Sequence, residues 1–257
     1  MSATSRHNSR KPRFELRLEP AQAPSSASSA PSHESGPAAG LWLLSGGIES
    51  AALIHDWSHA ATGTSERVRG TRFVHIDYGQ RNASAEWSAV QRLTDCIPES
   101  SRPRLQRIDV STLRAALRRD NGWTPHVPPP ERNLLLIALA RNLALAHGLK
   151  TIVIGLTADD ASHGPDGDAL RIQALARCLA GDRIAIDPTI SGGINVLCPL
   201  ATQRKHEVIG TRPAAPWALA WSCLLDQPRP CGACPQCEAR ARAFATAQRH
   251  DPLLTPD

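Results

Sequence analysis

Short apolar runs alternate along this chain with stretches whose apolar residues recur at helical spacing. The predicted strands are residues 41–44, 71–76, 105–110 and 151–155, with a last strand-like piece at residues 196–200. Helices are predicted over residues 51–57, from residue 83 onward, and over residues 114–119, 131–147, 169–179, 203–209 and 238–248. This alternation predicts an α/β fold with a doubly wound parallel sheet.

Three polar loops follow predicted strands and are rich in Asp, Ser, Gly or Arg. They span residues 45–50, 77–82 and 156–168, and the third is predicted to be loop throughout. In doubly wound sheets, ligands bind beyond the carboxyl ends of the strands, which meet at one edge. The three loops are therefore predicted to line a common site.

The first of these loops reads Leu-Ser-Gly-Gly-Ile-Glu-Ser over residues 44–50 and joins a strand to a helix. Glycines let the backbone approach a phosphate closely, and the first helical turn supplies unpaired N–H groups and a favourable dipole. The hydroxyls of Ser45 and Ser50 are expected to add donors. The loop favours a nucleotide-phosphate site, while an ordinary strand-to-helix turn with a Ser N-cap stays open as the alternative.

Composition divides the chain into four parts. Residues 1–39 are rich in Ser, Ala, Pro and Arg and are predicted to be a disordered extension, apart from a strand-like alternation at residues 14–18. Residues 40–200 are predicted to form a nucleotide-binding α/β domain, residues 201–249 a C-terminal metal-binding helical segment, and residues 250–257 a tail.

Charge and hydropathy disfavour several classes of protein. The net charge is +5 without a long basic run, which only weakly favours a nucleic-acid partner. The chain has no apolar run of the roughly 18 residues that span a membrane, and its N-terminus lacks the apolar stretch of a secretory signal. A cytoplasmic protein without a membrane partner is expected. Its seven cysteines then indicate metal binding or core thiols rather than disulfides.

Four of the cysteines are spaced C-x7-C-x2-C-x2-C near the C-terminus: Cys223, Cys231, Cys234 and Cys237. Two thiolates at CxxC spacing reach one ion across a tight turn, so the cluster predicts one tetrahedral zinc ion per chain. With all four positions filled by protein, the zinc would be structural and not catalytic. A nucleic-acid zinc ribbon fits less well, because its two CxxC pairs are separated by roughly 15–20 residues.

Four features now coincide in order along the chain. They are the Ser-Gly-Gly-x-Glu-Ser loop at residues 45–50, the Asp-Tyr-Gly-Gln-Arg string at 77–81, the Arg-Asn pair at 132–133, and the cysteine cluster. Together they resemble the 7-cyano-7-deazaguanine synthase (QueC) family of PP-loop ATP pyrophosphatases. The glycine loop is common to the PP-loop superfamily, whereas the string and the cysteine spacing are more specific. The resemblance covers about residues 41–243 and implies the PP-loop α/β fold.

The resemblance implies a ligase of queuosine biosynthesis that converts 7-carboxy-7-deazaguanine and ammonia to 7-cyano-7-deazaguanine (preQ0). ATP with Mg²⁺ would be its second substrate. The carboxylate is adenylated, ammonia displaces AMP to give an amide, and the amide is activated again and loses water. An acyl adenylate supplies the leaving group that a carboxylate lacks, which requires cations and N–H donors around the phosphates. A homodimer is also implied.

Positions that match the family motifs receive roles by resemblance. Catalysis is assigned to three charged residues: Lys205, Asp77 and Arg132. ATP binding is assigned to a continuous stretch: Leu44, Ser45, Gly46, Gly47, Ile48, Glu49, Ser50, Ala51, Ala52, Leu53 and Ile54. Contacts to substrate or nucleotide are assigned to Tyr78, Gln80, Arg81, Asn133, Asp160, Ser162 and Asp166. Arg240 matches a family arginine after the last cysteine; a surface salt bridge or a cap is its alternative role.

Three departures from the family pattern bear on the acceptor. Glu49 replaces the Asp of the family loop, so its carboxylate extends one methylene further. The family's Asp-x-Ser-Gly-Tyr-Pro-Asp-Cys-Arg loop matches residues 160–168 at its Asp, Ser, Pro and second Asp only. An aromatic residue and an Arg are thus missing, and Asp168 in place of the Arg is expected to repel a carboxylate. The N-terminal extension is the third departure.

Four functions are compatible with these features. The first is the housekeeping enzyme of queuosine precursor synthesis. The second is a QueC-like enzyme with another acceptor, such as a protein, by resemblance to family relatives in bacterial antiviral operons. The third, favoured by Glu49, is a degenerate, non-catalytic PP-loop protein that binds nucleotide, or binds a partner through its extension. A tRNA-thiolating enzyme is the fourth, although no cysteine outside the cluster is placed as a sulfur carrier. Amide or nitrile formation on a deazaguanine-like acceptor is the function expected.

Overall fold

The described part of the chain folds around one sheet of five parallel strands. The computed structural model describes residues 39–60, 65–113, 131–162, 167–174 and 193–253. The strands are β1 (Leu41–Leu43), β2 (Arg72–Asp77), β3 (Arg104–Asp109), β4 (Thr151–Ile154) and β5 (Asn195–Leu197). The helices are α1 (Ile48–Ala60), α2 (Ser65–Arg69), α3 (Ala83–Asp95), α4 (Arg132–Ala146), α5 (Ala158–Ala161), α6 (Lys205–Thr211) and α7 (Pro235–Thr246), with 3₁₀ turns at Glu99–Ser101 and Trp217–Leu219.

The strand order is β3-β2-β1-β4-β5, and each neighbouring pair is parallel. In this register, Trp42 of β1 lies between Phe73 of β2 and Val153 of β4. The chain runs outward from β1 through β2 to β3 and then returns to β4 on the other side of β1. This reversal opens a crevice between the carboxyl ends of β1 and β4, where doubly wound folds bind ligands. The predicted doubly wound sheet is confirmed.

Alternate strand residues supply two separate cores, one on each face of the sheet. Trp42, Phe73 and Val153 pack on one face with residues of α1, α3, α6 and α7. Leu43 and Val74 pack on the other face with residues of α4. Because helices cover both faces, the inner strands are buried on both sides, which explains their nearly continuous apolar sequences.

α1 differs from the prediction in its extent, and α4 has one buried face. α1 begins at Ile48, three residues before the predicted start at residue 51. Its first turn therefore contains Glu49, whose negative charge suits the positive end of a helix. α4 is buried on one face only. The buried residues recur every three or four positions: Asn133, Ile137, Ala140 and Ala144.

Side-chain caps account for two further differences. The stretch 157–168, predicted to be loop, contains the short helix α5, which a capping box between Thr157 and Asp160 starts. α7 begins at Pro235, before the predicted start at residue 238, because the sulfur of Cys234 accepts an N–H from its first turn. The last metal-ligand candidate thus lies in a helix.

Several predicted features lie outside the described residues. They are the extension over residues 1–38 with its strand-like piece at 14–18, the helix at 114–119, part of the helix at 169–179, and the tail from residue 254. Residues 169–174 of that helix are described and are helical. Among the helices that the structure describes, none is both long enough and apolar enough to cross a bilayer.

Arg240 connects three separate stretches of the C-terminal part of the chain. Its buried guanidinium forms a two-pronged ion pair with Asp251, at 2.7 Å from Nε and 2.8 Å from Nη2 to the carboxylate oxygens. The same group donates to the carbonyl oxygens of Ala220 and Trp217, both at 2.8 Å. A buried cation needs such partners, so these contacts indicate a structural role for this arginine.

Replacing Arg240 by Leu should destabilise the protein strongly, because Asp251 would remain buried without its partner. We expect the free energy of unfolding in urea to fall by about 3–5 kcal/mol. Arg242→Leu is the matched control, since Arg242 is exposed and its Nη1 lies 3.6 Å from the carboxylate of Glu238 in the same helix. Its loss should cost less than about 0.5 kcal/mol. Equal effects of the two substitutions would contradict the role assigned to Arg240.

Candidate functional site

A cavity of about 370 Å³ opens at the crevice between the carboxyl ends of β1 and β4. Its walls come from the glycine loop, the residues after β2, the start of α4, and the C-terminal segment around Trp221 and Arg240. The third predicted loop contributes Leu156 and Asp160 to the wall. The structure therefore brings all three loops to one cavity, and the described residues of the third loop that reach it are Leu156 and Asp160.

The glycine loop is folded around the hydroxyl group of Ser50. The Oγ of Ser50 accepts the N–H groups of Ser45 and Gly46 at 2.9 and 3.1 Å. Gly46 has a φ of +81°, and a Cβ at this position would lie 2.7 Å from the carbonyl oxygen of Glu86. Ser50 thus shapes the loop as an acceptor, where a donor to the ligand was expected. The first backbone bond of α1 runs from the N–H of Ala51 to the carbonyl of Gly47 at 3.0 Å, so the N–H groups that precede Ala51 in this helix have no helical partners.

The predicted ATP-binding stretch divides into two halves. Residues of the first half line the cavity: Leu44, Ser45, Gly47, Ile48, Glu49 and Ser50. Residues of the second half are buried in the core beneath it: Ala51, Ala52, Leu53 and Ile54. The second half holds α1 against the sheet and is not part of the cavity wall, so its contribution is to support the loop.

Lys205 lies between two carboxylates that come from distant parts of the sequence. Its Nζ is 3.3 Å from Oε1 of Glu49 in α1 and 3.1 Å from Oδ1 of Asp160 in α5. All three residues line the cavity, and the side chain of Lys205 is only 13% exposed. The structure therefore joins the ends of β1, β4 and β5 through one ammonium group.

Burial and mutual attraction set the charges of these three side chains. Burial raises the pKa of Glu49, and Lys205 opposes that rise. Burial acts in the same direction on Asp160, but Lys205 and the hydrogen bonds from Thr157 outweigh it and lower the pKa of Asp160. Glu49 in turn raises the pKa of Lys205. Lys205 is therefore a cation at neutral pH, and it lies in the cavity wall.

Glu49 packs against Gly155, which directly follows β4. A Cβ on Gly155 would lie 2.7 Å from the Cβ of Glu49, closer than side chains tolerate. Without that Cβ, α1 packs against the end of β4, and the carboxylate of Glu49 reaches Lys205. The carboxylate of Glu49 thus forms an ion pair with Lys205 at the cavity wall.

Asp77, to which the resemblance assigned catalysis, is held within the protein. Its Oδ2 lies 2.6 Å from Nη2 of Arg107, and its Oδ1 accepts the N–H of Gly79 at 2.8 Å. Asp77 is buried and is not among the residues that line the cavity. Residues after it do line the cavity: Tyr78, Gly79, Gln80 and Arg81. These contacts favour a positioning role for Asp77.

The start of α4 and the start of α3 both contribute to the cavity wall. Arg132 and Asn133 line the cavity, and the Nε of Arg132 donates to Oδ1 of Asn133 at 3.1 Å. Glu86 of α3 lines it as well, although sequence reasoning did not identify it. Its carboxylate accepts N–H groups from Gln80 at 2.8 Å and Asn82 at 3.1 Å. An acidic residue in the first turn of an amphipathic helix carries no signal that marks it as functional.

The substrate loop contributes less to the cavity than the resemblance implies. Asp160 lines the cavity, whereas Ser162 is exposed and donates to the carbonyl of Asp159 at 2.5 Å. Asp166 lies outside the described residues. Asp168, expected to repel a substrate carboxylate, accepts the backbone N–H groups two and three residues ahead at 2.9 and 3.3 Å. Asp168 therefore caps the helix that follows and is not among the cavity-lining residues.

The four predicted metal ligands come together in the C-terminal segment. Their sulfur atoms all lie within 4.8 Å of one another, and those of Cys231 and Cys237 are 3.9 Å apart. Thiolates that share a tetrahedral zinc ion at about 2.3 Å are separated by about 3.8 Å, so the geometry fits. Backbone N–H groups donate to the sulfurs of Cys223, Cys231 and Cys234 at 3.3 to 3.4 Å.

The cysteine segment is hydrogen-bonded to the wall of the cavity. The backbone N–H of Trp221 donates to the carbonyl of Gly46 at 2.8 Å. The side chain of Asn82 donates to the carbonyl of Cys223 at 2.9 Å. Trp221 packs with Cys223 and Cys237 and also lines the cavity. The glycine loop and the start of α3 are therefore hydrogen-bonded to the segment that carries the four cysteines.

A comparison with protein-family models identifies the family of this chain. The model of the queuosine biosynthesis protein QueC matches residues 39–248. The chain belongs to the QueC family. The resemblance inferred from the four sequence features is thus confirmed.

Relatives of this QueC-family chain are named 7-cyano-7-deazaguanine synthase. The one from Methanothrix thermoacetophila is 28% identical over 225 residues, which cover 82% of this chain and 95% of the relative. The one from Koribacter versatilis is 31% identical over 229 residues, covering 82% and 90%. The family membership therefore extends over nearly the whole length of these synthases.

A likeness to one solved structure is weaker. The U34-tRNA thiolase NcsA from Methanococcus maripaludis, solved with its 4Fe-4S cluster, has a TM-score of 0.47 and 11% identity to this QueC-family chain. The alignment covers 81% of this chain and 63% of that one, which is less than two thirds of the thiolase. A likeness of this size does not bear on function.

Replacing Gly155 by Ala should destabilise the protein, because the new Cβ would force α1 away from β4. We expect the free energy of unfolding to fall by about 1–3 kcal/mol. Gly210→Ala is the matched control: Gly210 lies in α6, and no atom lies within 4 Å of its added Cβ. Alanine there should leave stability unchanged or raise it by about 0.5–1 kcal/mol. A Gly155→Ala protein as stable as the wild type would show that this contact does not constrain Glu49.

Proposed function

We propose that this chain is an ATP-dependent ligase of the QueC type that activates the carboxylate of a deazaguanine-type acceptor as an acyl adenylate. The observation that supports this most is the position of Lys205, a buried cation beside a glycine loop and a helix N-terminus at the reversal point of the sheet. Cations and N–H donors at fixed positions stabilise the charge that develops during attack on a phosphate. The relatives that match over the same length are 7-cyano-7-deazaguanine synthases.

The proposed reaction has two activation steps. A carboxylate oxygen of the acceptor attacks the α-phosphorus of ATP, and pyrophosphate leaves. Ammonia then attacks the acyl carbon, AMP departs with that oxygen, and a proton is released to give the amide. A second ATP adenylates the amide oxygen, and loss of AMP together with the two N–H protons gives the nitrile. Mg²⁺ bound with ATP would neutralise charge on the phosphates.

Within this scheme, residues of the cavity wall have separate tasks. The N–H groups at the start of α1 would bind phosphate oxygens, and Ser50 keeps the loop in shape for them. Lys205 would exchange its contacts with Glu49 and Asp160 for contacts with the phosphate. Arg132 at the start of α4 would meet the acceptor or its adenylate. Near-attack positioning by such groups is a large part of catalysis in adenylating enzymes.

A different acceptor is the second candidate function. It is favoured by the loop at residues 160–168, which lacks the aromatic residue and the Arg of the family pattern. The exposed position of Ser162, outside the cavity, favours it as well. The predicted homodimer and a protein partner for the N-terminal extension remain expectations that this scheme neither uses nor requires.

Purified protein with Mg-ATP, ammonium and 7-carboxy-7-deazaguanine should release AMP and form a product of the mass of the nitrile. Lys205→Met should lower kcat by about 10²–10³-fold, because the transition state would lose its cation. Lys150→Met is the matched control, since the side chain of Lys150 is exposed and only its backbone carbonyl is engaged, by Asn195. Its activity should equal that of the wild type.

The outcomes of this assay separate the candidate functions. AMP release only with another carboxylate acceptor would support the second function. Absence of AMP with every acceptor, in protein shown to be folded by thermal unfolding, would contradict both and favour a non-catalytic protein. Equal rates for Lys205→Met and the wild type would contradict the role of Lys205.

We also propose that the four cysteines hold one structural zinc ion per chain, which the 3.9 Å sulfur separation supports. Elemental analysis should find about one zinc per chain, in line with closed four-thiolate sites. Cys234→Ser should lose the zinc, lower the melting temperature and weaken ATP binding through the loss of order at Trp221. Cys96→Ser is the control, because Cys96 is exposed and outside the cluster. Iron in place of zinc, or unchanged stability after metal loss, would contradict this proposal.

A further inference from the structure

Glu86 stands apart from the other carboxylates of the cavity wall. In the described part of the chain, three carboxylates line the cavity, and Lys205 pairs with two of them, Glu49 and Asp160. Glu86 is instead bonded by neutral amide groups. The proposed chemistry at the phosphates does not use it, so its function in the cavity needs a separate explanation.

The orientation of the Glu86 carboxylate is fixed by two amides that are themselves fixed. Its Oε2 accepts from Gln80, whose own Oε1 accepts the backbone N–H of Tyr78 at 3.0 Å. Its Oε1 accepts from Asn82, which also donates to the carbonyl of Cys223. Each carboxylate oxygen has two lone pairs, so one acceptor direction per oxygen remains after these bonds. The wall thus presents a pre-oriented pair of acceptors.

A pair of acceptors side by side matches a ligand edge with two adjacent N–H donors. The base of a deazaguanine has such an edge, formed by its ring N1–H and its 2-amino group. We propose that Glu86 recognises this donor edge and so determines the base that the cavity accepts. The inference rests on the proposed function, because it places the acceptor of that reaction in the cavity.

Donors on a bound ligand would shift Glu86 towards its ionised form. Burial raises the pKa of Glu86 to about 7, against the opposing effects of Gln80, Arg132 and Asn82. A ligand that donates two N–H groups would stabilise the ionised carboxylate and offset part of that desolvation. A base that offers a ring acceptor beside its amino group would face a carboxylate oxygen with no hydrogen to share.

The sharpest test is a specificity switch measured by calorimetric binding to the full chain. The two probes are 7-deazaguanine, with two donors on its edge, and 2-amino-7-deazapurine, which lacks the oxo group and has one acceptor and one donor there. Wild-type protein should prefer 7-deazaguanine by about tenfold to hundredfold. Glu86→Gln presents one acceptor and one donor, so this preference should be lost or reversed.

Matched variants control for indirect effects. Glu99→Gln changes an exposed carboxylate in a 3₁₀ turn and should keep the wild-type preference. Glu86→Asp keeps the carboxylate but withdraws it by one methylene, so affinity should fall while the preference for 7-deazaguanine remains. Thermal unfolding and ATP binding of each variant show that the fold and the glycine loop are intact.

The outcomes distinguish this inference from the proposed function. A Glu86→Gln protein that binds ATP and keeps the wild-type preference overturns the inference, even if the wild type forms AMP and nitrile. The predicted switch without any AMP release supports recognition by Glu86 and contradicts the ligase. Wild-type protein that binds neither base overturns the inference together with the deazaguanine acceptor.

Discussion

One buried ammonium group holds together segments that follow three different strands. Lys205 after β5 contacts Glu49 after β1 and Asp160 after β4. A buried charge that loses its partner costs several kcal/mol, so the contacts of Lys205 hold these segments in place. In the proposed reaction, an entering phosphate would replace the carboxylates as the partner of Lys205.

The C-terminal segment supplies the second constraint on the same cavity. Its backbone is bonded to Gly46 through Trp221 and to Asn82 through Cys223. Asn82 in turn orients Glu86, so one chain of hydrogen bonds extends from the cysteine group to a carboxylate of the cavity wall. A metal held by the four cysteines would therefore influence both the glycine loop and Glu86 through hydrogen bonds alone.

Sequence patterns predicted the sheet because strands buried on both faces carry continuous apolar residues, and they predicted the cysteine group because its spacing is local. Contacts between residues that are distant in sequence do not produce a local sequence pattern. For this reason the sequence did not indicate the position of Glu86 in the cavity or the buried ion pair of Arg240. The match to the family motif placed Asp168 at the position of the family's Arg but could not show where its side chain lies. In the structure, that side chain caps a helix.

Adenylation of a carboxylate leaves an isotopic record, and this record is the most direct test of the ligase. The acceptor 7-carboxy-7-deazaguanine is labelled with ¹⁸O in its carboxylate and incubated with the protein, Mg-ATP and ammonium. Each AMP released should carry one acceptor oxygen and be heavier by the mass difference of one ¹⁸O, as mass spectrometry measures. Unlabelled AMP, or ADP as the nucleotide product, would contradict activation of the acceptor through an acyl adenylate.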